Sequence, residues 1–87
     1  MDKDALIKLI QKRRDEKDDN PVVFDAYVRR VADCIGKDRD ALIAFINTAA
    51  TEYVDALDEA FEEIMANFPG DDELEDLFIR KVMPVYT

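Results

Sequence analysis

The chain predicts an all-α fold, a small four-helix bundle with a long central third helix, formed as one helical domain over residues 1–87. Three observations carry that prediction. Apolar residues recur at three- and four-residue spacing along most of the chain, and no segment alternates with period two. Residues that start and stop helices punctuate this pattern. Hydrophobic residues make up 48% of the 87 and charged residues 38%, enough of the first to collapse around one core and enough of the second to stay in solution.

The first helix is expected over about 3–17. Asp2 precedes it as N-cap, Asp4 meets the positive end of its dipole, and Leu6, Leu9 and Ile10 share one face. The same opening recurs 36 residues later, where "DRDALIAFIN" echoes "DKDALIKLIQ" with Asp38, Asp40, Leu42, Phe45 and Ile46 in the matching places. A true repeat would continue, but Asn20-Pro21 interrupts the first copy where the second runs on through Leu57. The pair is therefore one way of starting a helix, used twice.

A second helix is expected over 21–35. Pro21 suits its first position, Asn20 its cap, and Gly36 its left-handed exit, with Phe24, Tyr27, Val28, Val31 and Ile35 along one stripe. The third is expected over 39–67, ending at "FPG". Its apolar arc includes Leu42, Phe45, Ile46, Tyr53, Leu57, Ala60, Phe61, Ile64 and Phe68, and spans about 160–200° at 100° per residue. So wide a face calls for burial on two sides, as in a central helix; the side chains of Asn47 and Thr48 in "NTAAT" compete for backbone hydrogen bonds, but the expected helix is unbroken. The fourth is expected over 72–83, with Leu74, Leu77, Phe78 and Val82 facing the core and Pro84 as its stop.

Several function classes are excluded or weakened by composition. There is no histidine and a single cysteine, Cys34, so a Ser-His or Cys-His nucleophilic pair, a Cys/His zinc site and an intrachain disulfide are all ruled out. No catalytic residue, cofactor site or metal site is predicted, and the expected class is not an enzyme. The opening "MDKDALIKLIQKRR" lacks the uninterrupted apolar run of a leader or a membrane span, which places the chain in the cytoplasm as an expectation.

Charge is the distinctive feature. The net charge is −9, and residues 40–79 contain 12 acidic residues and no Lys or Arg, whereas residues 1–39 hold 10 basic and 9 acidic. Glu52, Asp55, Asp58, Glu59, Glu62 and Glu63 fall opposite the apolar arc of the third helix, and Asp71, Asp72, Glu73, Glu75 and Asp76 follow at the start of the fourth. Carboxylates at this spacing repel by about 0.2–0.5 kcal/mol per pair, so a surface built only for stability would intersperse cations. These eleven residues are the predicted partner-binding surface.

The expected partner is a basic protein. Carboxylates on a rigid helix can imitate a nucleic-acid backbone and occupy a nuclease or defence effector, as an anti-defence protein would, or neutralise a cationic toxin, as immunity proteins do. Self-assembly is the alternative, because the basic cluster Lys12, Arg13, Arg14 and Lys17 could face the acidic surface of a second copy, and Ala44, Asn47, Thr48 and Thr51 form a small uncharged patch. A third reading comes from "ADCIGKDRDALIAFI", which resembles a helix-turn-helix, although Lys37 stands where an apolar residue follows the turn glycine and Arg39 is the only cation before an acidic surface. Direct nucleic-acid binding and membrane binding are not expected. Cys34 reads as a small packing residue, and the i,i+4 carboxylate pairs as weak cation sites at most.

Overall fold

A computed structural model of the chain describes residues 1–16 and 20–82, and shows five helices and no strand among them. Helix α1 is Lys3–Asp15, α2 is Pro21–Ile35 and α3 is Arg39–Thr48. Helix α4, residues 51–66, is composite: α-helical Thr51–Ala56, a 3₁₀ turn over Leu57–Ala60, and α-helical Phe61–Ala66. Helix α5, residues 72–82, runs as an α-helix over Asp72–Leu77 and widens to a π turn over Phe78–Val82.

The predicted caps Asp2, Asp38 and Asn20 form, and Asp71 adds a fourth that the sequence had offered only as part of the acidic surface. Asp2 accepts from the Ala5 amide at 3.1 Å, Asp38 from Ala41 at 3.2 Å, Asp71 from Leu74 at 3.1 Å and Asn20 from Val22 at 2.9 Å. Each satisfies a backbone donor that the helix itself cannot. Pro21 opens α2 as expected, and Gly36 closes it at φ 60°, ψ −136°, where a Cβ would be strained. The predicted ends near Lys17 and Pro84 lie outside the described residues.

The long third helix is not formed. The chain leaves the helical region at Ala49 (ψ 160°) and Ala50 (ψ 143°), so the expected 39–67 rod becomes α3 and α4 and the four-helix bundle becomes a five-helix domain. Two physical reasons apply. An unbroken helix of that length would extend about 43 Å at 1.5 Å per residue, beyond the 32 Å long axis of the molecule. One straight helix also cannot press a 200° apolar arc into one small core, whereas a break re-aims its second half. The Thr48 hydroxyl donates to the Ala44 carbonyl at 2.6 Å, the local side-chain bond that competes with helix continuation.

The 3₁₀ turn serves the same end. With three residues per turn, Leu57 and Ala60 stack on one line, and both are fully buried. The buried residues join into one cluster: Leu6 and Ile10 from α1, Tyr27, Val28, Val31, Ala32 and Ile35 from α2, Leu42, Phe45 and Ile46 from α3, Val54, Leu57, Ala60 and Ile64 from α4, then Phe68 and the α5 residues Leu74, Leu77, Phe78 and Val82. Phe78 meets Phe61 edge to face, with ring centroids 5.3 Å apart.

Ala50 is the one point where α4 begins without a side-chain cap. Its backbone is already extended, at φ −58° and ψ 143°, and its side chain is exposed. Ala50→Ser therefore adds a capping oxygen at no packing cost and raises stability by about 0.5–1 kcal/mol, read as a higher denaturation midpoint.

Candidate functional site

The acidic surface is built around the seam between α1 and α4. Arg14 reaches Glu52 at 3.1 Å, the Gln11 amide donates to the Tyr53 hydroxyl at 3.0 Å, and Arg13 reaches Glu59 at 3.3 Å. Two members of the predicted basic cluster thus pair with the acidic helix of their own chain, Arg13 largely buried and Arg14 exposed. Lys12 remains exposed on α1, and Lys17 lies outside the described residues.

Arg13 is the centre of that seam. Its guanidinium lies 5.2 Å from the Phe24 ring centroid and 5.5 Å from that of Tyr27, and its side chain is only 12% exposed. A cation held against two ring faces gains from both quadrupoles, and Glu59 supplies the countercharge. Sequence reasoning placed Arg13 in a basic cluster able to face a second copy and missed this arrangement. The available signal was the i,i+3 spacing of Phe24 and Tyr27, which sets two rings side by side on α2.

Burial pushes the Tyr27 phenol up to about 12, with the Glu59 carboxylate adding to the shift and Arg13 opposing it. An unfolded tyrosine releases its proton near 10. Between those values the folded state holds more protons than the unfolded state, so stability present below about pH 10 is lost as pH rises toward 12. Chemical denaturation at pH 9 and pH 11 should show that loss for the parent and a smaller one for Tyr27→Phe.

The eleven predicted acidic residues sort into two groups. Glu52 and Glu59 pair with α1, Arg39 holds Asp71 at 2.6 Å and Glu73 at 3.2 Å, and Arg80 holds Asp76 at 2.8 Å. Asp71 both caps α5 and ties it to α3, and the Arg39 guanidinium with the Leu74 amide holds its carboxyl below the usual range. Asp55, Asp58, Glu62, Glu63, Asp72 and Glu75 form no ion pair with a described residue. On α4, Asp55, Asp58 and Glu62 follow at three- and four-residue spacing with Glu63 beside them; Asp55 and Glu62 are exposed, Asp58 and Glu63 half-buried.

The other sequence candidates are placed as follows. The stretch that resembles a helix-turn-helix forms the end of α2, a turn at 36–38 and α3, with Leu42 and Phe45 buried as that resemblance implies, while Arg39, its one cation before the acidic surface, is held by Asp71 and Glu73. Among the described residues no group of three or more acidic or cysteine side chains converges as a metal ion would require. Cys34 is half-buried, and burial together with Asp2 and Asp33 pushes its thiol up, against thiolate formation. Ala44, Asn47, Thr48 and Thr51 are exposed, as the small uncharged patch requires. No helix among the described residues is long and apolar enough to cross a membrane.

No family model, curated protein or solved structure matches the chain, so its functional reading rests on this geometry.

Proposed function

We propose that the protein is a non-enzymatic binding module that captures a basic protein through the outer carboxylates of α4. One observation carries the reading: Asp55, Asp58, Glu62 and Glu63 have no cation partner among the described residues, although Arg13 and Arg14 of the same chain neutralise their neighbours Glu59 and Glu52. Four carboxylates left together repel one another, and a cationic surface placed against them converts that repulsion into attraction. The helix is anchored at the α1 seam and by the Asn67 side-chain amide, which donates to the Ala32 carbonyl at 3.2 Å. The carboxylates are therefore presented by a fixed scaffold, which limits the ordering cost of binding.

The chemistry of such a face fits nuclease, defence-effector and toxin partners alike, since each offers a basic surface that binds phosphate or anionic membrane. Acting as a decoy polyanion, the module would block that surface without catalysis. The reading is tested by using the tagged protein as bait in an extract of its own host. Proteins of net positive charge should be retained at about 0.15 M salt and released toward about 1 M, where the screening length falls to about 3 Å. Retention that ignores salt, or retention of acidic proteins only, contradicts the proposal.

A further inference from the structure

A second surface has the opposite character. The outer side of the α1–α2 pair forms a groove of about 410 Å³ whose floor includes Ala5, Leu9 and Cys34 and whose rim carries Lys8, Lys12 and Arg30. Asp33 is the one acidic residue among those lining it. Lys8, Lys12 and Arg30 form no ion pair with a described residue, in a chain of net charge −9. A cluster of cations kept apart from the chain's own excess of carboxylates marks an anionic occupant.

Residues of complementary chemistry lie on α5. Asp72, Glu75, Asp76 and Ile79 lie on one exposed face of that helix, and Ile79, at 39% exposure, is one of three large apolar side chains exposed among the described residues. Asp72 and Glu75 form no ion pair with a described residue. An apolar side chain preceded by carboxylates, with Arg80 occupied by Asp76 and Lys81 following, can meet an apolar floor rimmed by cations: the side chain supplies buried area and Asp72 and Glu75 fix orientation.

We infer that the α1–α2 groove receives the Asp72–Glu75–Ile79 face of a second copy of this chain, giving weak head-to-tail self-association. Because groove and stripe are different surfaces, the contact is heterologous and propagates into chains or closes into rings rather than stopping at a symmetric pair. Exposed ion pairs contribute little singly and the stripe is short, so association falls in the high micromolar to millimolar range. The inference does not rest on the α4 carboxylates, which lie outside this contact.

Charge inversion tests it. Sedimentation of the parent at about 0.15 M salt should give an average mass that rises with concentration toward about 1 mM. Lys12→Glu with Arg30→Glu makes the groove repel the stripe, and Asp72→Lys with Glu75→Lys makes the stripe repel the groove; each double variant alone should stay monomeric. Mixed in equal amounts they should associate as the parent does, because both contacts in the mixture then join opposite charges and the summed charge is unchanged. Recovery on mixing also excludes misfolding as the cause of the single-variant loss. Ile79→Ser, which keeps every charge, should weaken association at least tenfold. A parent that remains monomeric, association that survives either double variant, or a mixture that stays monomeric overturns the inference. A monomeric parent whose groove instead binds an added acidic amphipathic peptide reassigns the groove to a different protein.

Discussion

Phe78→Ala lowers the unfolding free energy by about 3–5 kcal/mol, the largest effect expected of any single substitution in this chain. Phe78 is the largest of the fully buried side chains, and its ring stacks edge to face on Phe61 where α5 meets α4. Truncation loses the transfer free energy of the ring, the aromatic contact and the packing around the space left behind. Small domains have a total stability of about 5–15 kcal/mol, and a small core places this one toward the lower end, so the variant sits close to unfolding at ambient temperature. Ile79→Ala, one residue on, provides the control: its side chain is 39% exposed and the change should stay within about 0.5 kcal/mol. Urea denaturation of the two variants checks the assignment of faces on α5. Equal midpoints would mean that the π turn does not direct Phe78 inward.

What the sequence made legible was local. Asp2, Asn20 and Asp38 cap helices because their short polar side chains can reach amides two or three residues ahead, a relation written entirely in neighbouring positions. The stripes of α2 and α5 were equally plain, since every residue expected in the α5 core is buried. The break between α3 and α4 was not legible in the same way. Ala49-Ala50 consists of two good helix formers, and what opens the chain there is the need to turn Val54, Leu57 and Ile64 into the core that Leu42, Phe45 and Ile46 already face. The environment of Arg13 depends on rings from another helix and a carboxylate 46 residues away. Likewise, the sequence displayed eleven acidic residues alike, and only the placement of Arg13, Arg14, Arg39 and Arg80 separates five that pair within the chain from six that form no ion pair with a described residue.

That separation determines how the proposed function should be probed. Neutralising Glu52 or Glu59 would disturb the α1–α4 seam and confuse folding with binding, so the informative set is Asp55, Asp58, Glu62 and Glu63. Replacing them by Asn, Asn, Gln and Gln keeps side-chain size, leaves every ion pair of the described residues in place and removes four like charges from one helix. Relief of repulsion, about 0.2–0.5 kcal/mol for each close pair, should leave the variant as stable as the parent or slightly more so. Binding should move the other way, because a rim of charge acts collectively on encounter and orientation even where each member contributes little. The decisive measurement is therefore capture of basic proteins from the host extract by the quadruple variant and the parent side by side, with denaturation midpoints taken on the same preparations. The variant should keep or raise its midpoint while losing at least tenfold in capture; undiminished capture by a folded variant would show that the α4 carboxylates do not hold the partner.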